Sequence, residues 1–101
     1  MDRRLEFQMI LEEALGNTNV YFQPDDNTRM VYPAIVYSLD FLETLHGNNL
    51  PYTLQKRYQV TLITRQANSA VIDALAGLRT SAFDRAFTQD GLYHTIFNIY
   101  Y

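Results

Sequence analysis

The chain contains no cysteine, which excludes a disulfide framework, a zinc thiolate centre and thiol catalysis. Lysine occurs once, at Lys56, and the seven arginines are scattered. With a formal net charge of −3, the chain has no basic cluster to displace counterions from a nucleic acid duplex. Glycine occurs four times, each time alone, so no Gly-rich phosphate loop exists. Ser38, Ser69 and Ser81 lack the Gly-x-Ser-x-Gly turn that exposes a nucleophilic serine. No apolar run approaches the ~20 residues that span a bilayer. The opening Met1-Asp2-Arg3-Arg4-Leu5-Glu6 has no apolar core of signal-peptide length. The expectation is a soluble protein made in a cytoplasm, with no membrane partner.

What is present argues for one folded domain over residues 1–101. The hydrophobic fraction is 48% and aromatics are 14%, all Tyr and Phe, which is too apolar for a disordered chain. A domain of this size buries roughly 60–70% of the surface of its unfolded chain. It can fold alone with a thin margin, and a partner would add stability.

Phe7, Ile10, Leu11, Ala14 and Leu15 recur at helical spacing, so residues 3–15 are expected to form an amphipathic helix. Asp2 is placed to cap it and Gly16 to end it. Residues 19–23 suit a short strand ended by Pro24 and the turn residues that follow. In residues 34–41, Ile35, Tyr37, Leu39 and Phe41 alternate with Ala34, Val36, Ser38 and Asp40, which predicts a half-buried strand. A loop is expected over 42–51, around His46-Gly47-Asn48-Asn49. A long strand is expected over 52–65, with Tyr58, Val60 and Leu62 on its apolar face. Thr53, Gln55, Arg57, Gln59 and Thr61 form its polar face, relieved by Ile63.

Val71, Ile72, Leu75 and Leu78 predict a second helix over 68–78, capped by Asn68 or Ser69. Two strands follow, 80–87 and 92–101, joined by Thr88-Gln89-Asp90-Gly91, in which Asp-Gly is a good hairpin signal. The expected fold is α+β: a mostly antiparallel sheet of four or five strands with two helices on one face, in the order αβββαββ. Strands 34–41 and 52–65 should pair antiparallel, because about ten residues are too few for a parallel crossover. The expected core comprises Phe7, Ile10, Leu11, Ile35, Tyr37, Leu62, Val71 and Leu75.

The side chains able to do chemistry are not assembled into a site by the sequence. His46 and His94 lie far apart and outside any metal-ligand spacing, so a loop residue and a strand residue among aromatics explain them. Asp25-Asp26 is turn chemistry and Glu12-Glu13 a solvated helix face, whereas acid–base catalysis needs two carboxyls in one pocket with different pKa values. Lys56 and Arg57 point to opposite faces of a strand, which halves any phosphate patch. No catalytic, cofactor-binding or metal-ligating set emerges, and no enzyme activity or cofactor is expected. The eight tyrosines are more telling, since tyrosine offers interfaces a large apolar area with a polar tip. Tyr100 and Tyr101 should point to opposite faces, so at least one is free to meet a neighbour.

One ordered set of segments resembles a viral family. Asn19-Val20-Tyr21-Phe22-Gln23-Pro24 is followed by Met30-Val31-Tyr32-Pro33-Ala34-Ile35-Val36-Tyr37, then by Tyr52-Thr53-Leu54-Gln55-Lys56-Arg57-Tyr58-Gln59-Val60-Thr61. Phe83-Asp84-Arg85 and the closing run from Leu92 to Tyr101 complete it. In order and spacing these are similar to the small tail-terminator, or tail-completion, proteins of long-tailed bacteriophages. The resemblance implies a hexameric ring at the head–tail junction of the virion. Such a ring caps the tail tube and docks to the head-closure or connector protein, while genome DNA passes through its lumen unread. An acidic lumen would repel phosphate and let the genome slide.

Neighbouring readings are a head-closure ring of the neck and the terminator of a headless contractile tail particle. A small-ligand binding module without catalysis, or a degenerate enzyme, is the alternative from another class. The candidate ring interface comprises Leu42, Leu45, Leu50, Arg57, Gln59, Tyr100 and Tyr101. The leucines belong to the expected loop, and Arg57 is expected to meet a carboxylate across the contact, drawn from Asp25, Asp26, Asp40 or Glu43.

Overall fold

A computed structural model describes the backbone of residues 3–25, 27–47, 50–66 and 69–101, with side chains except at 43–47, 50–55 and 69. The element order is α1 (Arg3–Leu15), β1 (Val20–Phe22), β2 (Ala34–Gly47), β3 (Leu50–Thr64), α2 (Ser69–Ala76), β4 (Ser81–Gln89) and β5 (Leu92–Tyr100). This is the αβββαββ order read from the sequence. The strands form one sheet in the order β1-β2-β3-β5-β4. Every neighbouring pair is antiparallel except β1 with β2, which is parallel. The connection across 23–33 is long enough to bring the chain back to the start of β2. The Val31 amide donates to the Tyr21 hydroxyl (3.2 Å), and the Asn19 side-chain amide donates to the Pro33 carbonyl (3.4 Å).

Both helices pack on one face. Phe7, Leu11 and Leu15 of α1 and Val71 and Leu75 of α2 join Ile35, Tyr37, Tyr58, Val60, Leu62, Phe97 and Ile99 of the sheet in one buried cluster. Phe7 sits in its centre, with ring centroids 5.6 Å from Tyr37, 4.9 Å from Tyr58 and 5.1 Å from Tyr101. The Tyr37 hydroxyl stays satisfied at the edge of this cluster: it accepts from Arg4 Nη1 (3.1 Å) and donates to Gln8 Oε1 (2.7 Å). Ile10 departs from the expected core. It is half-buried and lines a shallow groove of roughly 360 Å³ with Glu6, Met9, Glu13 and Tyr101. One turn of α1 carries more apolar residues than the sheet can cover, and Ile10 falls just outside the stripe that Phe7 and Leu11 define.

The helix ends and the last hairpin follow local chemistry. Gly16 takes φ +87° just after α1, the left-handed conformation that glycine adopts without a Cβ clash. Asp90 and Gly91 take φ +54° and +75° between β4 and β5. Two successive positive values make the two-residue turn that matches the right-handed twist of a hairpin. The turn is therefore only Asp90-Gly91, and β4 and β5 include Thr88, Gln89 and Leu92.

Of the expected loop over 42–51, residues 42–47 and 50–51 are strand, and 48–49 lie outside the described residues. β2 continues to Gly47 and β3 begins at Leu50, and their pairing runs unbroken from Leu42↔Lys56 to Gly47↔Leu50 apart from one irregularity at Leu45/His46. Once Ile35–Leu39 are registered against Tyr58–Leu62, each further cross-strand pair satisfies backbone groups at little extra ordering cost. That outweighs the turn preference of single Gly and Asn residues. Pro51, which cannot donate to a ladder, lies beside the irregularity, where proline is tolerated.

Candidate functional site

A bulge in β2 shapes the sheet face away from the helices. Leu39 pairs with Tyr58, but the next described pair is Phe41↔Arg57, so Asp40 is the extra residue. A bulge reverses the alternation beyond it. Phe41 therefore leaves the helix-covered face, where strict alternation had placed it, and joins Arg57 on the open face. It is 44% exposed, and Leu39, at the end of the core, is 41% exposed. Neither belongs to the core that the period-two pattern implied.

The same bulge gathers Asp40, Phe41 and Arg57. Arg57 Nη2 lies 2.8 Å from Asp40 Oδ2, and Arg57 Nε donates to the same oxygen at 3.0 Å. The guanidinium carbon sits 5.3 Å from the centre of the Phe41 ring, a cation–π distance. Tyr100 is the cross-strand partner of Arg57 on β5. Partial desolvation pulls the Arg57 pKa down, but Asp40 and then Tyr100 more than offset it, so it stands above the ordinary arginine value. Within its own chain Arg57 is thus paired with Asp40, one of the four carboxylates named for it.

Gln59 lies on the same open face, paired with Ser38 and Asn98, and is half-buried. This face is less polar than the sequence suggested. Ala34, Ile63 and Ile96 lie on it through the pairs Ala34↔Ile63 and Thr61↔Ile96, and all three are buried. On β3, Arg57 and Gln59 therefore lie towards one end of this face and buried Ile63 towards the other.

The remaining candidates separate. Tyr100 is 40% exposed and faces outward. Tyr101 is taken up inside the chain: it stacks on Phe7, its ring lies 4.3 Å from the Arg3 guanidinium carbon, and its amide donates to the Lys56 carbonyl. Leu42 is 51% exposed. Leu45 and Leu50 lie on the paired backbone of β2 and β3, and their side chains lie outside the described residues. His94 stacks on Phe87 at 4.8 Å and 6°, with Nδ1 3.2 Å from the Leu92 carbonyl oxygen. The His46 side chain and Asp26 lie outside the described residues. Asp25 is a turn residue, accepting from the Asn27 amide and the Thr28 hydroxyl. Among the described residues no group of three or more His, Asp or Glu could hold a metal, and no helix is long and apolar enough to cross a membrane.

The most conspicuous feature is a β-ribbon arm. β1 leaves β2 after Phe22↔Tyr37, and β5 leaves β3 after Arg57↔Tyr100. Beyond Lys56, whose carbonyl accepts from the Tyr101 amide, the two long strands pair only with each other as far as Gly47↔Leu50 among the described residues. At ~3.3 Å per residue this arm extends about 20 Å. It contributes to the elongation of the molecule, which measures 51 × 28 × 23 Å. Bulge, ion pair and cation–π contact all sit at its base.

Sequence reasoning missed a second exposed element. Every residue of β4 from Ala82 to Gln89 is exposed, Phe83 by 61% and Phe87 by 41%. The available signal was Asp84-Arg85 interrupting an otherwise apolar run. No family model and no curated protein matches the chain.

Proposed function

We propose that the chain is a ring-forming assembly protein of a long-tailed bacteriophage, which caps the tail tube and joins the tail to the head connector. The observation that carries the reading is the two-stranded arm. An isolated two-stranded ribbon is at best marginally stable in water. Both of its edges carry backbone groups that another chain can satisfy. A ring of identical copies, six in the resembled family, needs heterologous contacts in which one surface meets a different one on the next copy. The arm supplies one such surface and the body of the domain the other. The polar patch at its base, with Arg57, Asp40, Gln59 and Tyr100, suits a hydrogen-bonded contact that is weak per pair. Such a contact becomes strong only when several neighbours and the tube engage together. Genome DNA would pass through the lumen without base recognition, consistent with the net charge of −3.

The test is co-expression with a tail-tube protein, read by electron microscopy of the tubes and native mass of the released complex. The wild type should give rings at tube ends. Leu42→Asp should keep the thermal midpoint and circular dichroism of the wild type, because Leu42 is 51% exposed, yet fail to cap. Normal capping by that variant removes the arm from the contact. Tubes that never acquire wild-type caps overturn the proposal.

A further inference from the structure

We propose that β4 is a self-association edge: two copies of this chain pair their β4 strands antiparallel about a two-fold axis between Asp84 and Arg85. β4 is an outer strand of the sheet, with β5 as its neighbour. Natural sheets keep such an edge single with lysine, proline, shortness or a polar surface. This edge is nine residues long, has no lysine or proline, and exposes Phe83 and Phe87. It does carry a bulge and two exposed charges, Asp84 and Arg85, which can also blunt an edge. Here the bulge creates a specific register instead.

The pairing with β5 steps from Phe83↔Phe97 to Arg85↔Ile96, so Asp84 is the extra residue. Ser81 and Phe83 lie on the helix-covered face with Ile99 and Phe97, and Ala82 lies on the open face with Asn98. Past the bulge the alternation is reversed. Arg85 and Phe87 lie on the open face with Ile96 and His94, and Ala86 and Thr88 lie on the helix-covered face with Thr95 and Tyr93.

A two-fold axis centred between Asp84 and Arg85 sets Phe83 opposite Ala86 of the second copy, both on the helix-covered face. It sets Ala82 opposite Phe87, both on the open face, and Ser81 opposite Thr88. In a regular strand this register would bring opposite faces together, since side chains alternate with period two. The bulge removes that mismatch. Each large ring meets a small residue, and Asp84 meets Arg85 of the second copy twice across the axis. Neither Asp84 nor Arg85 has an ion-pair partner within the described chain. Centring the axis on Asp84 or on Arg85 would instead set that charge against its own copy, which is unfavourable in a cross-strand pair. The contact is isologous and closes at two copies, so it does not propagate into fibres.

This pairing does not rest on the ring reading, since it uses neither the arm nor the Arg57 patch. The test is sedimentation of the full chain over a concentration series, together with disulfide trapping. The wild type should sediment as a monomer–dimer equilibrium. Arg85→Asp should shift it to monomer at concentrations where the wild type is dimeric. The exchange Asp84→Arg with Arg85→Asp should restore the dimer, because the complement is kept. The natural chain is free of cysteine. Oxidised mixtures of Ala82→Cys and Phe87→Cys proteins should therefore give the mixed disulfide dimer in excess over either protein alone. A wild type monomeric throughout, or no excess of the mixed dimer, overturns the proposal.

Discussion

Replacing Phe7 with alanine removes the side chain that joins α1 to the sheet and to the last residue of the chain. Phe7 is 1% exposed and touches the rings of Tyr37, Tyr58 and Tyr101. Alanine is the better helix former, by less than about 0.7 kcal/mol, and that term opposes the loss. Truncating a buried phenylalanine costs about 3–5 kcal/mol in lost transfer energy and residual cavity. The cavity is hard to close here, because two of its walls are strand residues fixed by cross-strand pairing. Total stability for such a domain is about 5–15 kcal/mol, so the variant sits near the edge of folding. With ~4 °C per kcal/mol as the lower bound for a domain of this size, and the helix gain set against the smaller cost, the thermal midpoint should fall by at least about 9 °C. Met9 is the control. It lies on the same helix but is 58% exposed, and Met9→Ala should change stability by no more than about 0.5 kcal/mol. Thermal and urea unfolding followed by circular dichroism measure both. Equal losses in the two variants would refute the placement of α1 on the sheet.

Two other predictions concern charge. Burial pushes the Tyr37 hydroxyl above the ordinary tyrosine range, against the Arg4 hydrogen bond and charge, which pull it down. A raised value favours the protonated form in the folded state. The associated stability is present below the unfolded value of about 10 and is lost as pH rises through the folded value. Urea unfolding between about pH 9 and 11 should therefore show a steeper loss in the wild type than in Tyr37→Phe, and parallel curves would remove Tyr37 as the cause. Arg57→Glu sets a carboxylate against Asp40 at the base of the arm. Ring formation should fail while the thermal midpoint changes little, and Asp40→Arg combined with Arg57→Asp should recover rings. A double variant no better than the single one would show that ring formation does not depend on this pair.

Much of the fold is legible in the sequence because its signals are local and agree with one another. The stripe of Phe7, Leu11 and Leu15 marks α1, and that of Val71 and Leu75 marks α2. The Asp90-Gly91 pair names its own turn, since few residues accept two successive positive φ values. The antiparallel partnership of β2 and β3 follows from the short connection alone. The order of elements needs nothing beyond these.

What the tertiary structure alone decided comes from register. Two bulges, at Asp40 and at Asp84, each displace one residue, and side chains alternate with period two. Phe41, the first residue past the Asp40 bulge, therefore lies beside Arg57 rather than in the core. No local preference marks either aspartate as a bulge, because the extra residue exists only relative to a partner strand. The same reason extends β2 and β3 through the expected loop, where cross-strand pairing outweighed the turn preference of Gly47. Tyr101 was absorbed by Phe7 and Arg3, and Asp40 took Arg57, through contacts spanning 94, 98 and 17 positions of chain. A sequence lists the side chains such contacts use, but only the closed fold brings them within reach of one another.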